Sequence, residues 1–191
     1  MTKMIAILVL GLTVAITGAD EKNKCEAREV RSADGCLVAR LLTEGVVEVR
    51  VEGYEFVRRF FHCSPVAAVF SPDGNLLCSA GKPRAGVVTM RVWRIATGEL
   101  LCRFRIEGES IANLSFSGDN RLLAGVVDRT ALNLWEVPGG RRLWTHSARR
   151  PWSEVVFDEA DGGLMAKEGA TIRRFNANGR TAITATDEQG R

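Results

Sequence analysis

An aromatic residue returns near the end of a strand-like run at Trp93, Trp135 and Phe175, 42 and then 40 positions apart. A period of about 40 residues implies an array of small units, each too thin to bury its own faces. The clearest unit starts with the apolar run 66–71, followed by the turn Pro72-Asp73-Gly74. Proline presets φ in such a turn and glycine accepts positive φ. Runs 76–80, 87–95 and 99–106 follow, the last after the turn Ala96-Thr97-Gly98. The next unit repeats the order with 111–117, Gly118-Asp119-Asn120, 122–125, 131–137, Pro138-Gly139-Gly140 and 142–144. A third has 152–157, 164–166, 171–175, the turn 176–179 and 181–184. A degenerate unit comes first, in which Val30-Arg31-Ser32-Ala33-Asp34-Gly35 parallels Val69-Phe70-Ser71-Pro72-Asp73-Gly74 at a shift of 39. Its other runs are 36–42, 46–51 and 56–61, and no amphipathic helix of useful length appears. The expectation is an all-β chain of four four-stranded antiparallel units, at about 26–61, 66–106, 111–147 and 152–186.

The first nineteen residues stand apart. Lys3 precedes an apolar stretch, 4–16, and Thr17-Gly18-Ala19 offers small residues before a cut at Asp20. This is the three-part pattern of a secretory signal peptide, with 20–25 a polar linker and 187–191 a tail. The stretch is short for a span of about 20 residues, and the alternative is a membrane anchor formed by residues 4–17. Export to the periplasm or the outside is expected, without stable membrane insertion after cleavage. The formal charge of +3 falls to +2 without Lys3. So mild a balance predicts no nucleic-acid partner. Cys25, Cys36, Cys63, Cys78 and Cys102 are odd in number and form no C-x-x-C pair, which argues against zinc. An exported chain would allow a disulfide such as Cys25–Cys36, but spacing selects no pairing.

Val69-Phe70-Ser71-Pro72-Asp73-Gly74 and Val92-Trp93-Arg94-Ile95-Ala96-Thr97-Gly98-Glu99 resemble the WD-repeat family. That resemblance implies a partial or four-bladed β-propeller, covering residues 26–186, with Trp93, Trp135 and Phe175 filling the wedges between blades. The aspartate that gives the family its name is replaced by Arg94 and Glu136. Asp128 resembles the family's structural aspartate, but its histidine should fall near Glu109 and is absent. His62 occupies that place one unit earlier, where Lys82-Pro83-Arg84-Ala85-Gly86 stands instead of the aspartate. No unit therefore holds the whole hydrogen-bonded set. A four-blade array would leave two end faces apolar and open to self-association.

No catalytic constellation is present. His62 and His146 lack metal-ligand spacing, and no G-x-S-x-G, H-E-x-x-H or P-loop occurs. No catalytic, cofactor or metal residues are assigned. The family layout brings Lys82, Arg84, Arg129, Arg149 and Arg150, with Glu107 and Glu109, to the loops of one face. Those five cations are the candidate contact residues for an acidic protein partner. The chain reads as a non-catalytic scaffold; a fragment of a larger propeller, or a propeller enzyme such as a hydrolase, are the alternatives.

Overall fold

The computed structural model describes residues 28–54, 57–158 and 161–179, and the backbone of 181–186. The expected signal peptide and anchor, the linker with Cys25, and the tail lie outside the described residues. Among the described residues no helix is long and apolar enough to cross a membrane. The described residues are all β, in four antiparallel sheets whose strands run in chain order.

The first sheet holds β1 (Arg28–Arg31), β2 (Leu37–Leu42), β3 (Val46–Val51) and β4 (Val57–Phe61). The second holds β5 (Pro65–Phe70), β6 (Leu76–Gly81), β7 (Val87–Arg94) and β8 (Leu100–Glu107). The third holds β9 (Ile111–Phe116), β10 (Leu122–Val127), β11 (Ala131–Glu136) and β12 (Arg142–Ser147). The fourth holds β13 (Trp152–Phe157), β14 (Leu164–Glu168), β15 (Thr171–Phe175) and β16 (Thr181–Thr186).

In the first three sheets the turn after the opening strand is built by the same two side chains, a serine and an aspartate. Ser71 Oγ donates to Asp73 Oδ1 at 2.6 Å and accepts from Leu76 N at 2.9 Å. Ser32 with Asp34, and Ser117 with Asp119, repeat the arrangement. Gly74 takes φ 70° at the tip, a region that costs a side-chain-bearing residue about 1 kcal/mol or more.

A sheet apolar on both faces needs a neighbour on each. Three apolar clusters supply this, each between successive sheets. Ala39, Val49 and Phe60 meet Phe70, Leu77 and Trp93 between the first and second sheets. Met90, Val92 and Phe104 meet Phe116, Leu123 and Trp135 between the second and third. Ala124, Leu132 and Leu134 meet Val155, Ala166 and Phe175 between the third and fourth. An aromatic pair spans each wedge: Phe60–Trp93 at 5.3 Å, Phe104–Trp135 at 5.8 Å and Trp144–Phe175 at 5.5 Å between ring centroids. Among the described residues no such cluster joins the fourth sheet to the first, so the blades form a three-interface series.

The two outer faces differ from the expectation of bare apolar surface. In the last three sheets, the outermost position of the opening strand pairs through a leucine with the wedge aromatic. These sets are Phe70–Leu77–Trp93, Phe116–Leu123–Trp135 and Phe157–Leu164–Phe175. The same positions in the first sheet are Arg31–Val38–Arg50. Arginine stands at both aromatic positions, on the face that has no preceding blade among the described residues. Arg31 pairs with Glu52 at 3.3 Å, and Glu48 is sandwiched between Arg50 at 3.4 Å and Arg59 at 2.9 Å. At the other end, Lys167 and Arg174 stand where the second sheet has Ala80 and Val92. Arg174 is engaged by Asp158 and Asp161, while Val156, Met165 and Ile172 on that face remain half-buried. Charged groups on these two faces suit surfaces that no described blade covers.

Candidate functional site

The hairpins β6–β7, β10–β11 and β14–β15 and the connections β4–β5, β8–β9 and β12–β13 converge on one rim of the array. Lys82 and Arg84 sit on the β6–β7 hairpin, Arg129 on the β10–β11 hairpin, and Arg149 and Arg150 on the β12–β13 connection; all five are exposed. Glu107 and Glu109 are exposed beside them.

This rim is stitched by hairpin groups that reach into the neighbouring connection. Asp128 Oδ1 accepts from the amides of Glu109 at 2.7 Å and Ser110 at 2.9 Å. One blade later, Glu168 Oε1 accepts from the amides of Arg149 at 3.2 Å and Arg150 at 3.1 Å. Glu168 is buried and also pairs with Arg173 at 2.7 Å. One blade earlier the hairpin has no acid, and Arg84 Nη2 donates to Cys63 Sγ at 2.8 Å. Trp152 N donates to Arg129 O at 2.8 Å, and its indole NH to Thr130 O at 2.9 Å. Trp152 is only 3% exposed, which places it in the core rather than at a contact surface.

Asp128 and Arg129 both adopt positive φ, 49° and 65°, at the tip of their hairpin. Aspartate tolerates this region; for arginine it stores strain. The β6–β7 tip, Ala85-Gly86, is a two-residue turn with φ 49° and 71°, matching the strand twist of a tight hairpin.

His62 lies under the rim and is 1% exposed. Its Nδ1 is 2.7 Å from Ser79 Oγ and its Nε2 is 3.0 Å from Thr89 Oγ1. Burial, and then the charges of Arg91 and Arg103, push its pKa down to about 4. A neutral, doubly bonded imidazole in that position is a structural post. His146 is half-buried, 5.1 Å from the Phe175 ring and 3.4 Å from Arg173. Burial and Arg173 lower its pKa, against Glu168. Among the described residues no group of His, Cys, Asp and Glu is arranged to hold a metal. Cys36 and Cys63 are exposed free thiols; Cys78 and Cys102 are buried hydrophobes whose pKa values burial raises.

Glu168 escaped the sequence reading. Its signal was the repeat itself, since it lies 40 positions after Asp128, the same interval that separates Trp135 from Phe175.

The fold defines a class: an all-β repeat array of propeller-like, four-stranded blades. The comparisons with known proteins are consistent with it. No protein-family model matches the chain. The chain is 38% identical over 71 residues to human WD repeat-containing protein 90. That match covers 36% of this chain and 4% of the relative, so the chain spans only a small part of that protein's length.

Proposed function

We propose that this chain is a non-catalytic, WD-repeat-like interaction module whose rim binds a protein partner with an acidic surface. The observation that supports it is the pinned rim. Asp128, Glu168 and Arg84 bond to neighbouring connections and so hold the loops that present Lys82, Arg84, Arg129, Arg149 and Arg150. Fixing loops before binding reduces the ordering cost of association. The strain at Arg129 fits the same reading, because glycine or asparagine would occupy that φ more cheaply. Export belongs to the proposal through residues 1–19, and mass spectrometry of the secreted chain should find Asp20 at its N-terminus.

The test is affinity capture with the wild-type chain beside a variant carrying alanine at all five cations. The expected result is a partner retained by the wild type, eluted by salt, and lost by the variant. Retention of every partner by the variant would sink the reading. Arg129→Gly adds a control free of misfolding. Relief of about 1–2 kcal/mol of left-handed strain outweighs about 0.4–1 kcal/mol of added chain entropy. It should therefore melt at or above the wild type while binding more weakly.

A further inference from the structure

The outer half of the second sheet carries a charge arrangement unlike its neighbours. Arg91 on β7 and Arg103 on β8 are directly opposed cross-strand partners, and Arg105 follows two residues along β8. Like charges placed directly opposite destabilise a sheet. The equivalent pair in the third sheet is Asn133 and Thr145, joined by a 2.6 Å hydrogen bond. In the fourth sheet it is Arg173 opposite Thr184, with Arg173 neutralised by Glu168. In the second sheet, no carboxylate among the described residues forms an ion pair with Arg91, Arg103 or Arg105. Arg91 donates to Phe61 O and lies 5.8 Å from the Trp93 ring, while its Nε is buried without a partner. Arg103 and Arg105 are exposed. The fold thus holds three guanidiniums together at a cost and leaves them unneutralised.

The row lies beside a free edge. β8 ends its sheet and, among the described residues, pairs only with β7. Such an edge offers unpaired backbone groups to an extended chain. We propose that Arg91, Arg103 and Arg105 form a docking strip for a short acidic peptide of a partner protein, which pairs with the outer edge of β8. Side chains two apart on a strand recur about every 7 Å on one face. Alternate carboxylates of the incoming strand therefore meet Arg103 and Arg105 in turn. Two β8 edges from two copies would set these arginines against each other, so the charge selects an acidic partner over a second copy. Glu107 follows on the same exposed face of β8. It limits the row to a few carboxylates and disfavours a long polyanion.

This strip is separate from the rim cations and is tested separately. The full chain is titrated against a fluorescein-labelled peptide alternating glutamate with threonine, read by anisotropy. A glutamine-for-glutamate peptide and an oligothymidylate of equal charge serve as comparison probes. The expected result is salt-sensitive binding of the glutamate peptide alone. Arg103→Gln/Arg105→Gln should weaken it about tenfold or more, given two lost charge-assisted contacts. Arg129→Gln/Arg149→Gln/Arg150→Gln should bind it as the wild type does. The double variant should melt no lower than the wild type, since it relieves like-charge repulsion; if it does, Arg105→Gln alone is used. Unchanged binding by the β8 variant, equal binding of the glutamine peptide, tighter binding of the oligothymidylate, or no binding to the wild type would each overturn the proposal.

Discussion

The indole of Trp135 on β11 packs at 57° against the Phe104 ring of the preceding sheet, with centroids 5.8 Å apart. Trp135 is 2% exposed and closes the wedge at the middle interface of the series. Trp135→Ala should cost about 3–5 kcal/mol, from lost transfer energy plus the cavity. Chemical denaturation checks it. Because blades are stabilised by their neighbours, the transition should also broaden as the array divides at this interface.

The acids that stitch the rim are separable by burial. Glu168 is buried while its partner Arg173 is a third exposed, and Glu168→Ala leaves that guanidinium and two amides to water, at a cost of about 2–3 kcal/mol. Asp128 is exposed, and Asp128→Ala should cost about 1–3 kcal/mol. Hydrogen exchange at Glu109 and Ser110 should accelerate in the second variant and not in the first.

His62 makes folding sensitive to acid. Its folded pKa of about 4 lies below the ordinary 6.5, so between these values the unfolded chain binds the extra proton. Stability is full above about pH 6.5 and falls as pH drops towards 4, by up to about 3 kcal/mol. Below that window a second loss begins. Burial opposes ionisation of Asp73, but hydrogen bonds led by Ser71 hold it down at about 2, so its contribution is lost between about pH 4 and 2. Urea midpoints measured from pH 7 to 4 should fall in the wild type and much less in His62→Gln.

Arg31 and Arg50 place charge on the outer face of the first described sheet. Arg31→Phe/Arg50→Trp restores, on the first sheet, the pair of aromatics seen in the other three. It exposes a face that only another blade can bury, and light scattering should show a concentration-dependent rise in mass over the wild-type chain.

Much of the fold was legible because it is periodic. Trp93, Trp135 and Phe175 recur where a wedge must be filled, and Ser71-Pro72-Asp73-Gly74 recurs as Ser117-Gly118-Asp119-Asn120, where a side chain must cap the turn. Those constraints are local, so the chain states them directly. The class of array, its strands and its core aromatics follow from sequence alone. Other features depend on contacts across blades, which no local pattern announces. Glu168 became a rim clamp only when its hairpin met the amides of Arg149 and Arg150. Arg31 and Arg50 came to share one outer face only when pairing through Val38 set them side by side. Arg91 and Arg103 became opposed charges only through the register of β7 on β8. Sequence determined which positions are apolar and where the chain turns; tertiary structure decided which charges face each other, because register and blade stacking, not spacing along the chain, set those distances.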